Sequence, residues 1–163
     1  MQKLLVLFIL SFSCVSIAKQ SAIDGYQPPS FNLKLSLTEN AEAWLKHNNE
    51  SIIVDAFFYG EAKNGANIVL DIKTGLYQLG GKQFELTDTR EVSFFSFEFD
   101  PRKIAILANP DYRVIINVYS GRKSTPRNGL DCDAIMGPVS QIQNLQLTIS
   151  CDLIDQPPSS ATQ

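Results

Sequence analysis

Catalysis draws on a short roster of side chains, and this sequence is sparing with them. His47 is the single imidazole among 163 residues, and a serine or cysteine hydrolase of the triad type needs such a base beside its nucleophile. It stands beside Asn48 and Asn49 at the expected end of a short helix, where a solvated or capping histidine belongs. Neither Gly-x-Ser-x-Gly nor a glycine-rich phosphate loop occurs. Asp55, Asp71, Glu98 and Asp100 lie in or beside expected strands and are the kind of carboxylates a glycosidase pairs across its substrate. A small carboxylate hydrolase therefore ranks third among the functions considered, and no residue is assigned a catalytic role.

The chain has three cysteines. Cys14 falls in the apparent leader, which leaves Cys132 and Cys151. Their separation matches no zinc spacing, so a disulfide is expected. Closing a loop of about 20 residues contributes on the order of 3 kcal/mol in the chain-entropy picture. Asp131 and Asp133 flank Cys132, and Asp152 flanks Cys151, so the bridge would gather three oxygen ligands suited to a hard cation. No glycine pattern of a calcium-binding hand accompanies them. They are read as acids that keep a sheet end soluble, and neither a metal nor another cofactor is expected.

The third constellation is a surface. Residues 120–129 form a long polar loop carrying Arg122, Lys123 and Arg127. The loop leaves a strand whose outward side chains include Arg113, Ile115 and Tyr119. Arginine and tyrosine are favoured anchors at protein interfaces, and loops beyond hairpin length often carry function. These six residues are the candidate partner-binding set. With a formal charge of −3 and no concentrated basic block, the chain is a poor match for nucleic acid.

The elements that must position these groups are mostly strands. The first residues read as an export signal: Lys3, an apolar run over 4–12, then Ser16-Ile17-Ala18 as a cleavage site. The run falls short of the roughly 18 residues of a membrane span. Cleavage after Ala18 removes one lysine and no acid, which takes the charge to −4. Ser11 and Phe12 depart from the pattern for lipidation at Cys14. The expected organisation is a signal over 1–18, a flexible segment over 19–30, one β domain over 31–155 and a polar tail over 156–163.

Within the domain, Phe31, Leu33, Leu35 and Leu37 alternate with polar residues as in a half-buried strand. Thr38 reads as the N-cap of a helix carrying Ala41, Trp44 and Leu45. The stretch 52–59 is apolar on both faces, as in a central strand covered on both sides. A strand is expected at 67–72, and a Gly80-Gly81 hairpin between 76–79 and 84–86. A further strand bearing Phe95, Phe97 and Phe99 should stop at Asp100-Pro101, followed by a connection over 103–107. The clearest strands are late: Tyr112, Val114, Ile116 and Val118 share one face, as do Leu145, Leu147, Ile149, Cys151 and Leu153. Short strands at hairpin spacing with one helix predict an all-β, antiparallel sandwich, with a small barrel as runner-up.

The run Phe97-Glu98-Phe99-Asp100-Pro101, a short link, and Asp111-Tyr112-Arg113-Val114 resembles small periplasmic sandwich proteins of the secretion-pilotin type and their transthyretin-like relatives. Tyr112 is similar to the strand-corner tyrosine of immunoglobulin-like folds. The resemblance implies a non-enzymatic accessory that chaperones or docks outer-membrane components. The residues themselves favour a periplasmic or secreted binding protein of the inhibitor or immunity type, whose partner is another exported protein. The pilotin or chaperone role stands as the alternative.

Overall fold

The computed structural model describes residues 26–72, 75–95 and 97–154. The expected leader, Cys14 and the tail lie outside them. Alternation decides the first strand, β1 (Phe31–Leu37): Phe31, Leu33 and Leu35 are buried, while Asn32, Lys34 and Ser36 face the other way. The helix α1 (Glu39–His47) follows at once. Thr38 Oγ1 accepts from the Ala41 N–H at 3.3 Å, with Glu39 and Glu42 in the first turn and Lys46 and His47 in the last, as the helix dipole prefers. Asn48 caps it, and Asn49, at φ 49°, turns the chain out of the helix.

The remaining elements are β2 (Ile52–Gly60), β3 (Tyr77–Leu86), β4 (Glu91–Phe94), α2 (Pro101–Ala105), β5 (Arg113–Ser120), β6 (Leu130–Cys132), β7 (Ile135–Pro138), a 3₁₀ turn over Val139–Gln141, and β8 (Gln146–Leu153). They build two four-stranded sheets, ordered β4-β1-β8-β6 and β3-β2-β5-β7. Inward residues of both sheets form one apolar cluster. Phe94 joins them: it stacks on Phe31 of its own sheet, with centroids 4.5 Å apart, and meets Phe84 of the other edge-on at 5.1 Å. Phe58, Phe97, Phe99 and Tyr112 form a second aromatic knot. Tyr112 is buried there, its hydroxyl donating to the Gln27 carbonyl at 2.9 Å, and burial pushes its pKa well up.

The all-β class with one short N-terminal helix holds, with several corrections. β1 and β8 pair in parallel, Leu37 opposite Cys151, so the first and last strands lie side by side and the pairing is not antiparallel throughout. Gly80 and Gly81 make no hairpin, because β3 runs straight through them. A Cβ on Gly81 would sit 3.1 Å from the Ala56 carbonyl, so close approach beside the β2 bulge is what glycine serves here. The aromatic strand ends at Phe94, short of Phe95 to Phe99. Asp100-Pro101 starts a helix: Asp100 Oδ1 accepts from the Arg102 N–H at 2.9 Å, and Pro101 occupies the first turn.

Residues 67–72 form no strand. Lys103 Nζ donates to the Gln78 and Leu79 carbonyls, which occupies that end of the β3 edge, and Val69 and Ile72 are left 91% and 98% exposed. Leu145 also stays half-exposed, ahead of β8.

Candidate functional site

Cys132 and Cys151 face each other across β6 and β8 and form a disulfide. Cys151 is buried in the core cluster. On the other side of the same strands Asp131 stands opposite Asp152, a like-charge pair at a sheet edge. Asp152 is engaged by the Thr38 hydroxyl and the Leu153 N–H, both at 2.7 Å, which hold its carboxyl below the usual range. Among the described residues no three His, Cys, Asp or Glu side chains converge as a metal-ligand set.

The other acids are dispersed over the fold. Asp55 is half-buried in the middle of β2, Asp71 lies in the β2–β3 connection, and Glu98 is exposed. Asp100 serves α2: the Arg102 guanidinium, then the Arg102 N–H, hold its carboxyl down to about 2. His47 is exposed in the last turn of α1.

The loop 121–129 is polar in sequence and firmly held in place. Glu50, 7% exposed, is its anchor. Its carboxylate accepts from the N–H groups of Ser51, Lys123 and Ser124 at 3.0, 3.1 and 2.9 Å, and from the Ser124 hydroxyl at 2.8 Å. Burial alone would raise the Glu50 pKa, but these donors outweigh it and bring it below its ordinary value. A Cβ on Gly121 would collide with Ser51 Oγ, and one on Gly129 with the Trp44 ring, so both ends of the loop are seated by glycine. Asn128 Oδ1 accepts from Ser120 and Leu130, and its amide donates to the Leu130 carbonyl.

That frame disposes the candidate residues unequally. Lys123 is spent internally, its ammonium on Glu85 Oε1 at 2.6 Å. Arg122 lies over the Tyr119 ring at 5.7 Å, and Tyr119 in turn accepts from Gln83 at 3.1 Å. Arg113, Ile115 and Tyr119 all project from the outer side of β5, and Arg113 Nε donates to the Tyr59 hydroxyl at 3.2 Å. Arg127 is exposed farther along the loop.

The register adds residues that sequence reasoning missed. One row crosses the second sheet through Gly81, Phe57, Ile115 and Met136, and the next through Tyr59, Arg113 and Pro138. Phe57 and Tyr59 stack at 5.9 Å, and Met136 is 67% exposed. They make an apolar and aromatic patch on the outer face, and a polar row of Gln83, Asp55 and Asn117 separates it from Ile53 and Tyr119. Ile53, Phe57 and Tyr59 are half-buried, so β2 is central in its sheet yet covered on one side only. The available signal was the apolar character of both faces of β2; an apolar strand face reads the same whether the fold or a partner covers it. No family model, curated protein or solved structure matches the chain.

Proposed function

We propose that this chain is a non-catalytic exported protein that binds another exported protein, as an inhibitor or immunity-type partner does. The binding surface is the outer face of β2, β5 and β7 together with the loop 121–129. The observation that carries this reading is the outward row Phe57, Ile115 and Met136, bounded by Tyr59, Arg113 and Tyr119. Contiguous apolar surface of this kind marks an interaction site, and rigid aromatic and arginine anchors supply most interface energy.

The two-sheet architecture is read as a sandwich of the transthyretin or immunoglobulin-like kind. A disulfide closing the last strand onto its neighbour suits the periplasm or the exterior, where thiols stay oxidised. The test is capture of a partner from a periplasmic extract with wild-type protein, then titration of that partner against Arg122→Glu/Arg127→Glu and Ile115→Ser/Tyr119→Ser variants. The second pair should weaken binding more than the first, since Ile115 lies on the face and Arg127 on its periphery. Equal affinity across wild type and both variants would remove the surface from consideration.

A further inference from the structure

The arginines of this chain divide into two kinds. Arg90 forks onto Glu42 with two contacts of 2.8 Å, and Arg102 clasps Asp100. Arg113 and Arg122, on the outer face, take no carboxylate: among the described residues the ion pairs are Arg90–Glu42, Arg102–Asp100 and Lys123–Glu85. Both lean on tyrosines instead, Arg113 through the Tyr59 hydroxyl and Arg122 over the Tyr119 ring. Those contacts hold each guanidinium in place without neutralising it. A guanidinium so ordered presents a planar donor fork matched to a carboxylate and gives up little conformational freedom on binding.

The two positions bracket the apolar row. Arg113 opens β5 and Arg122 follows Tyr119 near its end. Six residues of extended strand separate Arg113 from Tyr119, about 20 Å at the usual strand rise. Ile115, with Phe57 and Met136 beside it, lies next to Arg113, and the polar row of Asn117 and Asp55 follows before Tyr119. Of the acids nearby, Glu85 is engaged by Lys123 and Ser51, and Asp55, on the same outer face beside Asn117, makes no ion pair among the described residues. A chain of net charge −3 thus places two cations without an ion-pair partner among the described residues at opposite ends of this outer face.

Resting on the proposed binding role, we infer that the partner is a protein surface with an apolar centre flanked by two carboxylate groups about 20 Å apart. The arginines select the acids and set the register, and the row through Phe57, Ile115 and Met136 takes the apolar anchor.

The probe is a displayed library of random peptides selected on the full-length exported protein. Recovered peptides should carry Asp or Glu on both sides of an aromatic or aliphatic centre. Arg113→Glu/Arg122→Glu should weaken them by roughly tenfold or more, as should Phe57→Ser/Met136→Ser. Peptides with lysine in place of those acids should regain binding to the double-glutamate variant, a rescue that loss of folding cannot produce. Peptides without acidic bias that still need Phe57 and Met136 would overturn the inference while leaving the binding face intact. Peptides indifferent to every one of these substitutions would overturn both. Self-association that buries Met136, seen by light scattering and by its protection from oxidation, would also overturn it.

Discussion

The outer faces of the two sheets make a natural pair for comparison, because both flank the same core and differ in almost every side chain. On the first sheet the outward residues are Asn32, Lys34 and Ser36 of β1, Glu91 and Ser93 of β4, Asp131 of β6, and Gln146, Thr148, Ser150 and Asp152 of β8. All are polar, and Ser93 donates to Asn32 across the strands at 2.7 Å. On the second sheet the corresponding positions mix apolar and polar side chains: Ile53, Phe57, Tyr59, Ile115, Tyr119 and Met136 stand among Asp55, Arg113, Asn117, Gln78, Gln83 and Glu85. The fold requires apolar residues on one face of each sheet. It does not require them on the other, as the first sheet demonstrates. The proposed binding role accounts for the apolar side chains on the second outer face as a demand made from outside the core.

The largest expected effect strikes what the sheets share. Phe94→Ala removes the ring joining Phe31 to Phe84 and should cost about 3–5 kcal/mol in urea unfolding. A loss as small as that of a surface change would mean the sheets do not depend on a common core. Next, Cys132→Ser/Cys151→Ser should cost roughly 3 kcal/mol through the released loop. It should leave partner binding intact, since the bridge belongs to the first sheet.

Glu50 sharpens the comparison, because it serves the second sheet's loop from inside. Glu50→Ala strands the part-buried Lys123 and Ser124 N–H groups and should cost about 1 kcal/mol. The folded pKa of Glu50 lies below its ordinary value of 4.5, so its stabilisation is complete above that value and declines as pH falls through the lower folded pKa. Wild type should thus lose stability relative to Glu50→Gln in acid below about pH 4.5, and a difference independent of pH would refute the role given to the carboxylate. The smallest effect is expected on the outer face. Met136→Ser should change stability by no more than about 0.5 kcal/mol, and Phe57→Ser, which loses a half-buried ring stacked on Tyr59, by about 1 kcal/mol.

Where alternation and caps agree, the sequence is transparent. β1, β5 and β8 follow from strict period-two patterns, and α1 from Thr38 with Ala41 and Leu45 at helical spacing. Ambiguity enters where one residue type serves two physical ends. Gly80-Gly81 looks like a turn, yet it relieves crowding at the Ala56 carbonyl. Asp100-Pro101 looks like the end of a strand, yet the same pair opens α2. Residues 67–72 carry strand-like alternation without a ladder to join, and no local pattern reports that Lys103 has taken the edge. The candidate site was half legible for the same reason. Arg113, Ile115 and Tyr119 stand out because β5 alternates cleanly, whereas Phe57 and Tyr59 merge into an apolar run and Met136 becomes their neighbour only through the β5–β7 register.

The central claim is most directly tested by measuring the affinity of the captured partner for two double variants side by side. Phe57→Ser/Met136→Ser alters the second outer face, and Lys34→Glu/Thr148→Lys alters the first while exchanging one polar group for another. The first variant should lose binding by roughly a hundredfold while still unfolding cooperatively, and the second should bind as wild type does. Loss of binding in the second variant with retention in the first would place the interface on the polar sheet and contradict the account.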